Sequence, residues 1–445
     1  MSAPTTPPKP TFYDALRFWF KLGWISFGGP AGQIAIMHTY LVEQKRWISE
    51  KKFFHALNYC MLLPGPEAQQ LATYTGWLMH GTRGGLAAGI LFVLPSALIL
   101  LALSMAYVSF GHLYWVSSIF TGLKPAVVAI VMLALIKIGK RSLTDPLHYA
   151  VAVSCFIAIF FFRVNFPVVI LAVLLFSAAC MVWAPRLLQA SSGNNVAADT
   201  EEGYYLSTRT ALPHVRFSVK KLLVQLSVFT ALWLAPFLIF GTTAYASFWK
   251  DLIWFFSQAA FITFGGAYAV LPYVAQQAVD HYHWLSSMQM IDGLALGETT
   301  PGPLIMVLAF VGFMGGWSAG GNSLWMGALG LFTTTYYTFL PCFLFIFAGA
   351  PLIERTQQNP QIKAALTLVT AAVTGVVMNL TVYFAEAVLF GKHHNSFSAI
   401  SWGSIQLFPL LWIVISIIAM HRFKVGMLSW IGISAAAGWI SWLIA

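Results

Sequence analysis

Two pairs of short motifs decide the fold of this chain: Phe27-Gly28-Gly29-Pro30 with Pro64-Gly65-Pro66, and Phe264-Gly265-Gly266-Ala267 with Pro301-Gly302-Pro303. A shift of 237 residues places the first pair on the second without a gap. At this shift, ten positions in 26–66 are identical to their equivalents in 263–303. Further along the chain the shift becomes 246, and Pro95 then aligns with Pro341. The sequence therefore predicts an internal duplication.

The composition is that of a membrane-embedded protein. Of the 445 residues, 59% are hydrophobic and only 9% are charged, whereas soluble domains carry about 25% charged residues. The net charge of +10 is explained by Lys and Arg in short connections, where they set membrane topology, so no nucleic-acid partner is expected. The polar start, Met1 to Pro10, lacks the pattern of a signal peptide. We expect an all-α polytopic membrane protein in the lipid bilayer.

The apolar segments divide the chain into two repeats. We predict an N-terminal repeat at 1–184, a polar linker at 185–216, an extra membrane helix at 217–247 and a C-terminal repeat at 248–445. The predicted segments are 12–37, 52–80, 84–110, 112–140, 147–162, 166–184, 217–244, 248–275, 288–316, 323–349, 361–390, 402–420 and 424–444.

The relative orientation of the repeats depends on how many segments cross the membrane. If all six segments of each copy cross, the extra helix inverts the second copy, an arrangement common in secondary transporters. A cytoplasmic N-terminus then places most Lys and Arg inside, but leaves Lys45, Arg46, Lys51 and Lys52 outside, against the positive-inside rule. Alternatively, 52–80 enters and returns as a hairpin, because each of its two pieces is too short for a core of about 30 Å. With five crossings per copy, the repeats would be parallel.

The Pro-Gly-Pro motifs interrupt apolar helices and free backbone groups that cannot stay unpaired in lipid. A half-helix that starts after Pro66 or Pro303 would direct its positive dipole end into the membrane, which suits an anion. The alternative is a structural kink. Because the breaks occur at matching places in both copies, we favour a binding site made of the two motifs, Pro64, Gly65, Pro66, Pro301, Gly302 and Pro303.

Paired glycines form the second motif. Gly28, Gly29, Gly265 and Gly266 would let either helices pack closely or the backbone turn toward a ligand. Together with Pro30, they are candidate substrate-binding residues. Gln33 lies one turn later and could donate hydrogen bonds to an oxyanion, but the equivalent residue in the second copy is Val270.

Three ionisable residues lie in apolar segments, where such groups are functional candidates. Glu67 follows the first Pro-Gly-Pro motif and Glu298 precedes the second, so both are candidates for proton coupling. Helix N-terminal capping is the alternative for Glu67. Lys124 could neutralise a bound anion or pair with Glu67; the alternative is that it reaches toward the headgroups. Asp292 is a weaker candidate near an interface.

No motif points to catalysis or to a cofactor. The sequence contains neither HExxH nor GxxxxGK[ST], and its four cysteines lack CxxC spacing. We therefore expect no enzyme activity, no metal and no cofactor. The sequence does not determine the oligomeric state, and a homodimer is compatible with it.

These motifs resemble the chromate ion transporter family in its long, two-domain form. The resemblance rests on Phe27-Gly28-Gly29-Pro30, Leu63-Pro64-Gly65-Pro66-Glu67-Ala68-Gln69-Gln70-Leu71 and the second-half Phe-Gly-Gly and Pro-Gly-Pro motifs. It implies export of chromate across the bacterial inner membrane, driven by the proton motive force, with sulfate as another substrate of some members. The second half departs from the first at Ala267 and lacks the Glu-Ala-Gln-Gln stretch, so substrate contacts in the two halves are expected to differ.

The residues themselves indicate a secondary transporter for an anion, and chromate comes from the resemblance. In this hypothesis, backbone N–H groups at Gly28, Gly29, Gly65, Gly265, Gly266 and Gly302 bind the oxyanion. Two alternatives remain: a transporter for sulfate or another oxyanion, and an anion channel.

Overall fold

The computed structural model describes residues 8–183, 203–208, 210, 212, 217–353, 360–391 and 405–444. Most of the predicted linker therefore lies outside the described residues. The first half consists of α1 (Phe12–Ile25), α2 (Gly29–His38), α3 (Glu50–Cys60), α4 (Glu67–Phe110), α5 (Tyr114–Ser142), α6 (Pro146–Phe160) and α7 (Phe166–Trp183). A π-helical turn, Thr39–Gln44, extends α2.

The second half repeats this order after one additional helix, α8 (Val219–Gly241). It consists of α9 (Ala246–Ile262), α10 (Ala267–Gln276), α11 (Ser287–Thr299), α12 (Val307–Ala319), α13 (Leu324–Leu344), a short α14 (Ala350–Ile353), α15 (Pro360–Phe390), α16 (Leu407–His421) and α17 (Met427–Ile444). Non-helical dihedrals at His80 and Gly81 divide α4 into two parts, which correspond to α12 and α13. Within the described residues, five helices are long and apolar enough to cross a membrane: α4, α5, α8, α15 and α13 with its π-helical extension.

Local details repeat along with the helices. The residues before Trp47 and Trp284, Arg46 and His283, both have a φ of 52°. Ser49 and Ser286 both cap the following helix by accepting a hydrogen bond from the backbone N–H three residues later. Such matched backbone conformations in residues of different identity support the duplication.

Each Phe-Gly-Gly motif turns the chain back on itself. The prediction that 12–37 and 248–275 are continuous segments is wrong, because α1 ends before Gly28 and α9 ends before Gly265. The rings of Phe18 on α1 and Tyr40 on the extended α2 stack with centroids 4.0 Å apart. Two helices that are joined by one turn and still contact each other well away from that turn form a hairpin.

The Pro-Gly-Pro motifs form a second pair of hairpins. The rings of Tyr59 on α3 and Tyr74 on α4 lie 5.4 Å apart on either side of Gly65. In the second copy, a Cβ built at Gly297 would lie 3.2 Å from Cβ of Val307. Of the two alternatives for 52–80, a broken crossing or a hairpin, the structure has the hairpin.

The two copies run in opposite directions. A Cβ built at Gly85 would lie 2.6 Å from Phe347, and one built at Gly89 would lie 2.6 Å from Phe343. Since the contact moves forward along α4 as it moves backward along α13, these equivalent helices are antiparallel. The expectation that hairpins would make the repeats parallel is wrong, because each copy has two hairpins. Of the six segments predicted for each copy, two hairpins leave an even number of remaining segments, so the additional helix α8 accounts for the inversion of the second copy.

The hairpins also explain how Lys45, Arg46, Lys51 and Lys52 lie on the same side as most other Lys and Arg residues. The Pro10 carbonyl oxygen lies 2.9 Å from His80 Nε2, and the Leu206 N–H donates to the Trp47 carbonyl at 3.0 Å. The N-terminus, the α2–α3 connection, the middle of α4 and the end of the linker thus lie at one end of the molecule, the linker side. Lys45, Arg46, Lys51 and Lys52 share this side with Arg83, Lys140, Lys220, Lys221, Arg422 and Lys424, whereas Arg163, in the α6–α7 connection, and Lys250, near the start of α9, lie on the opposite, far side.

The long helices pack across the repeat boundary. Helix α5 packs against α16 and α17, and its equivalent α15 packs against α6 and α7. The closest approach of α5 and α17 occurs at Gly122, where a Cβ would collide with the Ser434 carbonyl oxygen and lie 2.7 Å from the Gly438 nitrogen. Each copy therefore depends on the other for its packing.

We expect Gly122→Ala to destabilise the protein by about 1–3 kcal/mol, because the added methyl group overpacks a backbone contact that cannot rotate away. The measurement is the thermal unfolding temperature in detergent. Gly432→Ala is the matched control, since a Cβ built at Gly432 on α17 meets no atom within 4 Å. Equal unfolding temperatures for the two variants would contradict the close approach of α5 and α17.

Candidate functional site

The tips of the four hairpins meet in the middle of the molecule. The Gly65 N–H donates to the Thr263 carbonyl oxygen at 2.6 Å, and the Gly302 N–H donates to the Ser26 carbonyl oxygen at 2.8 Å. Gly65 and Gly302 are repeat equivalents, as are Ser26 and Thr263. Each bond joins a hairpin that enters from the linker side to one that enters from the far side. The tips therefore lie between the two ends of the molecule.

Glycine is required at the tips because the backbone there adopts a positive φ. This angle is 123° at Gly65 and 104° at Gly302, a region that residues with a Cβ rarely adopt. Space is also short, since a Cβ built at Gly65 would lie 2.8 Å from Cys342 Sγ, and one at Gly302 would lie 2.8 Å from Ser96 Cβ. Ser96 and Cys342 are themselves equivalent at the 246 shift, so both copies build the tip alike.

Two glutamine side chains help hold the tips. Gln33 Nε2 donates to the Gly302 carbonyl at 2.6 Å and to the Ser26 carbonyl at 3.2 Å. Gln70 Nε2 donates to the Pro64 carbonyl at 2.6 Å. These bonds satisfy carbonyl groups that the broken helices expose. The N–H groups of Gly65 and Gly302, and the Gln33 amide, were expected to face a ligand, but in this structure they bond the tips together.

The second arm of every hairpin begins at a tip. The N-termini of α2, α4 and α10, and of the 3₁₀ turn Leu304–Met306 that leads into α12, therefore converge on the centre. The first amides of a helix have no partner within it, and the helix dipole makes this end positive. Four such ends give the centre a positive potential without a cationic side chain. This arrangement favours an anion.

The Phe-Gly-Gly turns leave open space beside their backbone. A Cβ built at Gly28, Gly29 or Gly266 would meet no atom within 4 Å, and one at Gly265 would meet only Val373, at 3.5 Å. Close helix packing, one of the two explanations for these glycines, is therefore not their role here. Their φ angles of 73° to 93° are what require glycine. Pro30 fixes the first turn of α2.

Several buried polar atoms around the tips have no hydrogen-bond partner among the described residues. They are Oε1 of Gln33, Gln69 and Gln70, Oγ of Ser96 and, one turn before Cys342, Oγ1 of Thr338; Oγ1 of Thr334 lies a further turn away, against Gly312. Leaving a buried polar group unpaired costs about 1–3 kcal/mol, and native proteins contain few of them. Their concentration on α2, α4 and α13 around the tips indicates a place where water or a ligand completes the bonding.

Glu298 lies at the end of α11, just before the second Pro-Gly-Pro tip. Its side chain is buried, and Tyr268 of α10 donates a hydrogen bond from its hydroxyl to Glu298 Oε1 at 2.6 Å. The pair connects the two hairpins of the second copy. The first copy has Met61 and Ala31 at these positions, so it has no equivalent.

Glu67 is the first residue of α4, at the first Pro-Gly-Pro tip. A carboxylate is favourable at this position because it faces the positive end of the helix. Arg141, at the end of α5, lies on the same side of the first hairpin pair, where its Nη2 is 3.2 Å from the sulfur of Met61. Glu67 and Glu298 thus flank the tips on different hairpins.

Lys124 is paired with Asp292 rather than with Glu67. Lys124 Nζ lies 3.4 Å from Asp292 Oδ1, and the Tyr107 hydroxyl donates to Asp292 Oδ2 at 2.9 Å. Asp292, which the sequence analysis treated as a weak candidate near an interface, is buried. The three residues come from α5, α11 and α4, respectively, and lie toward the far side.

Five polar residues described above were not predicted from the sequence: Tyr268, Tyr107, Ser96, Thr334 and Thr338. Thr334 and Thr338 could have been predicted from the sequence, because hydroxyl residues spaced by four in an apolar helix lie on one face of that helix. The tyrosines gave no signal, since interfacial belts account for many tyrosines in a membrane protein. Only the pairing of helices across the molecule reveals their partners.

Comparison with known proteins agrees with this architecture. The family model described as "Chromate transporter" matches residues 13–180 and 250–439. The "Chromate transport protein" of Cupriavidus metallidurans is 30% identical over 86% of this chain and 84% of its own length. That of Pseudomonas aeruginosa is 30% identical over 85% and 82%, and the "Probable chromate transport protein" of Synechococcus elongatus is 28% identical over 86% of both. No solved structure matches the chain significantly.

The family match covers both copies of the duplication, and each matched range contains one Phe-Gly-Gly and one Pro-Gly-Pro hairpin. The residues that form the central tips thus lie within the matched ranges. Members of this family are transporters and not enzymes. The chain belongs to the chromate transporter family.

Proposed function

We propose that this protein is a secondary transporter that exports chromate across the bacterial inner membrane. The proposal rests on one observation: four helix N-termini meet at the tips of hairpins that enter from opposite sides of the molecule. Chromate is a tetrahedral dianion, and four positive helix ends around one point match both its charge and its shape. The relatives named for chromate transport supply the identity of the anion.

In this proposal the substrate binds beside the tips. The first-turn amides of α2 and α10, together with the backbone at Gly28, Gly29, Gly265 and Gly266, face the open space and donate to the oxyanion. The five prolines at and next to the tips, Pro30, Pro64, Pro66, Pro301 and Pro303, fix the chain direction there. Gln33, Gly65 and Gly302 hold opposite hairpins together. Alternating access then arises as one copy rocks against the other.

Two sources of energy are available for export. A dianion that leaves a negative-inside cell gains about 2.3 kcal/mol per charge per 100 mV. Proton exchange at Glu298 or Glu67 adds a second source, because a carboxyl group in an apolar environment can bind and release a proton during transport. The proton motive force or the membrane potential therefore drives the cycle, and protons are the proposed coupling ion.

The linker side is proposed to be cytoplasmic, because it carries most of the described Lys and Arg outside the helices.

We expect Arg46→Cys and His283→Cys to react with a membrane-impermeant thiol reagent from opposite faces, since these exposed residues are repeat equivalents in inverted copies. In intact cells only His283→Cys should be labelled, and in inverted vesicles only Arg46→Cys. The wild type is the control, because the four native cysteines are buried. Labelling of both variants from one face would contradict the inversion.

The function itself is tested by uptake of radiolabelled chromate into inverted membrane vesicles. Uptake should exceed that of vesicles without the protein and should collapse with an uncoupler. Sulfate competition then separates the substrates, since sulfate has the same charge and shape as chromate. Absence of chromate uptake by folded protein, with sulfate uptake present, would overturn the substrate. Passive anion currents that follow the electrochemical gradient would instead identify a channel.

A further inference from the structure

Lys124, Asp292 and Tyr107 form a polar cluster separate from the hairpin tips. Lys124 belongs to the first repeat and Asp292 to the second, so their ion pair joins the two copies. Asp292 lies ten residues before Gly302, and Tyr107 lies eleven residues after Ser96, a rise of about 16 Å along a helix. Both Gly302 and Ser96 mark the central tips. The cluster is therefore displaced from the tips toward the far side.

The cluster is a costly way to stabilise a membrane protein. The Asp292 side chain is only 5% exposed. When two opposite charges are buried, the free energy lost by removing them from water often exceeds the free energy gained from their attraction. Asp292 Oδ1 faces Lys124 Nζ at 3.4 Å, whereas Oδ2 accepts the hydrogen bond from the Tyr107 hydroxyl at 2.9 Å. Each carboxylate oxygen thus has its own partner, so Tyr107 can still hold Asp292 when Lys124 turns away.

Lys124 remains reachable while Asp292 is not. The Lys124 side chain is 22% exposed, against 5% for Asp292. The Lys124 ammonium group is thus the more exposed member of the pair, and its present partner is a carboxylate. The equivalent positions on the linker side carry Thr370 and His55, so only the far side has this carboxylate–ammonium pair.

We propose that Lys124 is the far-side contact for the transported anion and that Asp292, held by Tyr107, closes over Lys124 when no anion is present. The dianion displaces the carboxylate, the inter-repeat pair opens, and the anion leaves on the far side. This inference rests on the proposed anion transport but assigns a separate exit contact and gate. No covalent step is involved.

The first test is the double variant Lys124→Met/Asp292→Asn, which removes both charges and so leaves no unpaired one. If the pair only stabilises the fold, the neutral double variant should transport like the wild type, because such replacements are often neutral. If Lys124 contacts the anion, the folded double variant should lose at least about tenfold in uptake, the equivalent of one lost charged hydrogen bond. Lys137→Met, an exposed charge on the same helix, should keep wild-type uptake.

The second test does not depend on the substrate. Ser96→Cys places a thiol beside the Gly302 tip, and a membrane-impermeant thiol reagent is added to the face on which His283→Cys is labelled. With the ion pair intact, labelling should be slow. It should become at least several-fold faster when Lys124→Met/Asp292→Asn is added, but not when Lys137→Met is added. Unchanged labelling would overturn the gate, even if the transported anion proves to be other than chromate.

Discussion

Gly302→Ala is expected to reduce transport strongly. A Cβ at this position would force a residue with a φ of 104° into a conformation that costs about 1–3 kcal/mol. It would also lie 2.8 Å from Ser96 Cβ, so the tip must shift and its hydrogen bond to the Ser26 carbonyl must break. Since the tips set the geometry of the anion site, uptake per folded molecule should fall at least about tenfold. Chromate uptake, normalised to the monodisperse protein in detergent, measures this.

Gly65→Ala should behave in the same way, because its φ is 123° and Cys342 Sγ occupies the space of its Cβ. Gly241→Ala at the end of α8 is the matched control, since a Cβ built there meets nothing within 4 Å and no positive φ occurs. The comparison separates a local effect from a general sensitivity to added methyl groups. Normal transport by Gly302→Ala would show that the two Pro-Gly-Pro tips need not join their partners for function.

The duplication and its motifs were visible in the sequence because glycine and proline have few substitutes where φ is positive or the helix must break. Gly65 and Gly302 are in this class, and so is the turn at Gly28. Segments 12–37 and 248–275 were misjudged for a related reason. Two glycines in an apolar run fit either a close helix contact or a turn, and only the absence of nearby atoms at Gly28 and Gly266 distinguishes them.

The partners of the ionisable residues were not accessible from the sequence. Lys124 and Asp292 are separated by 168 residues, and Tyr268 and Glu298 belong to different helices. No periodicity relates such positions, because their contact depends on how the inverted copies interlock. The same holds for Gln33, whose amide seemed free for a ligand but reaches the Gly302 carbonyl of the opposite copy. The residue types were enough to predict that polar groups lie inside the membrane. Which partner each of these groups has depends on how the helices of the two copies pack, and this could not be predicted.

Glu298→Gln is expected to uncouple transport from the pH gradient. Glutamine keeps the size of the side chain and can still accept a hydrogen bond from Tyr268, but it has no exchangeable acidic proton. Uptake into inverted vesicles under a pH gradient alone should therefore fall at least about tenfold, if the proton gradient supplies 1.4 kcal/mol or more of the driving force. Uptake under a membrane potential alone should persist, because a dianion responds to the field without a proton.

Glu67→Gln is the informative comparison, since the two carboxyl groups differ in their surroundings. Glu67 lies at a helix N-terminus, where the positive end of the helix dipole favours a fixed negative charge. Glu298 is buried next to a tyrosine hydroxyl and has no cationic partner among the described residues. A group without a fixed counter-charge is better placed to gain and lose a proton during each cycle. If Glu67→Gln removes the response to the pH gradient and Glu298→Gln does not, the coupling residue is Glu67, and the Tyr268–Glu298 pair only joins the two hairpins.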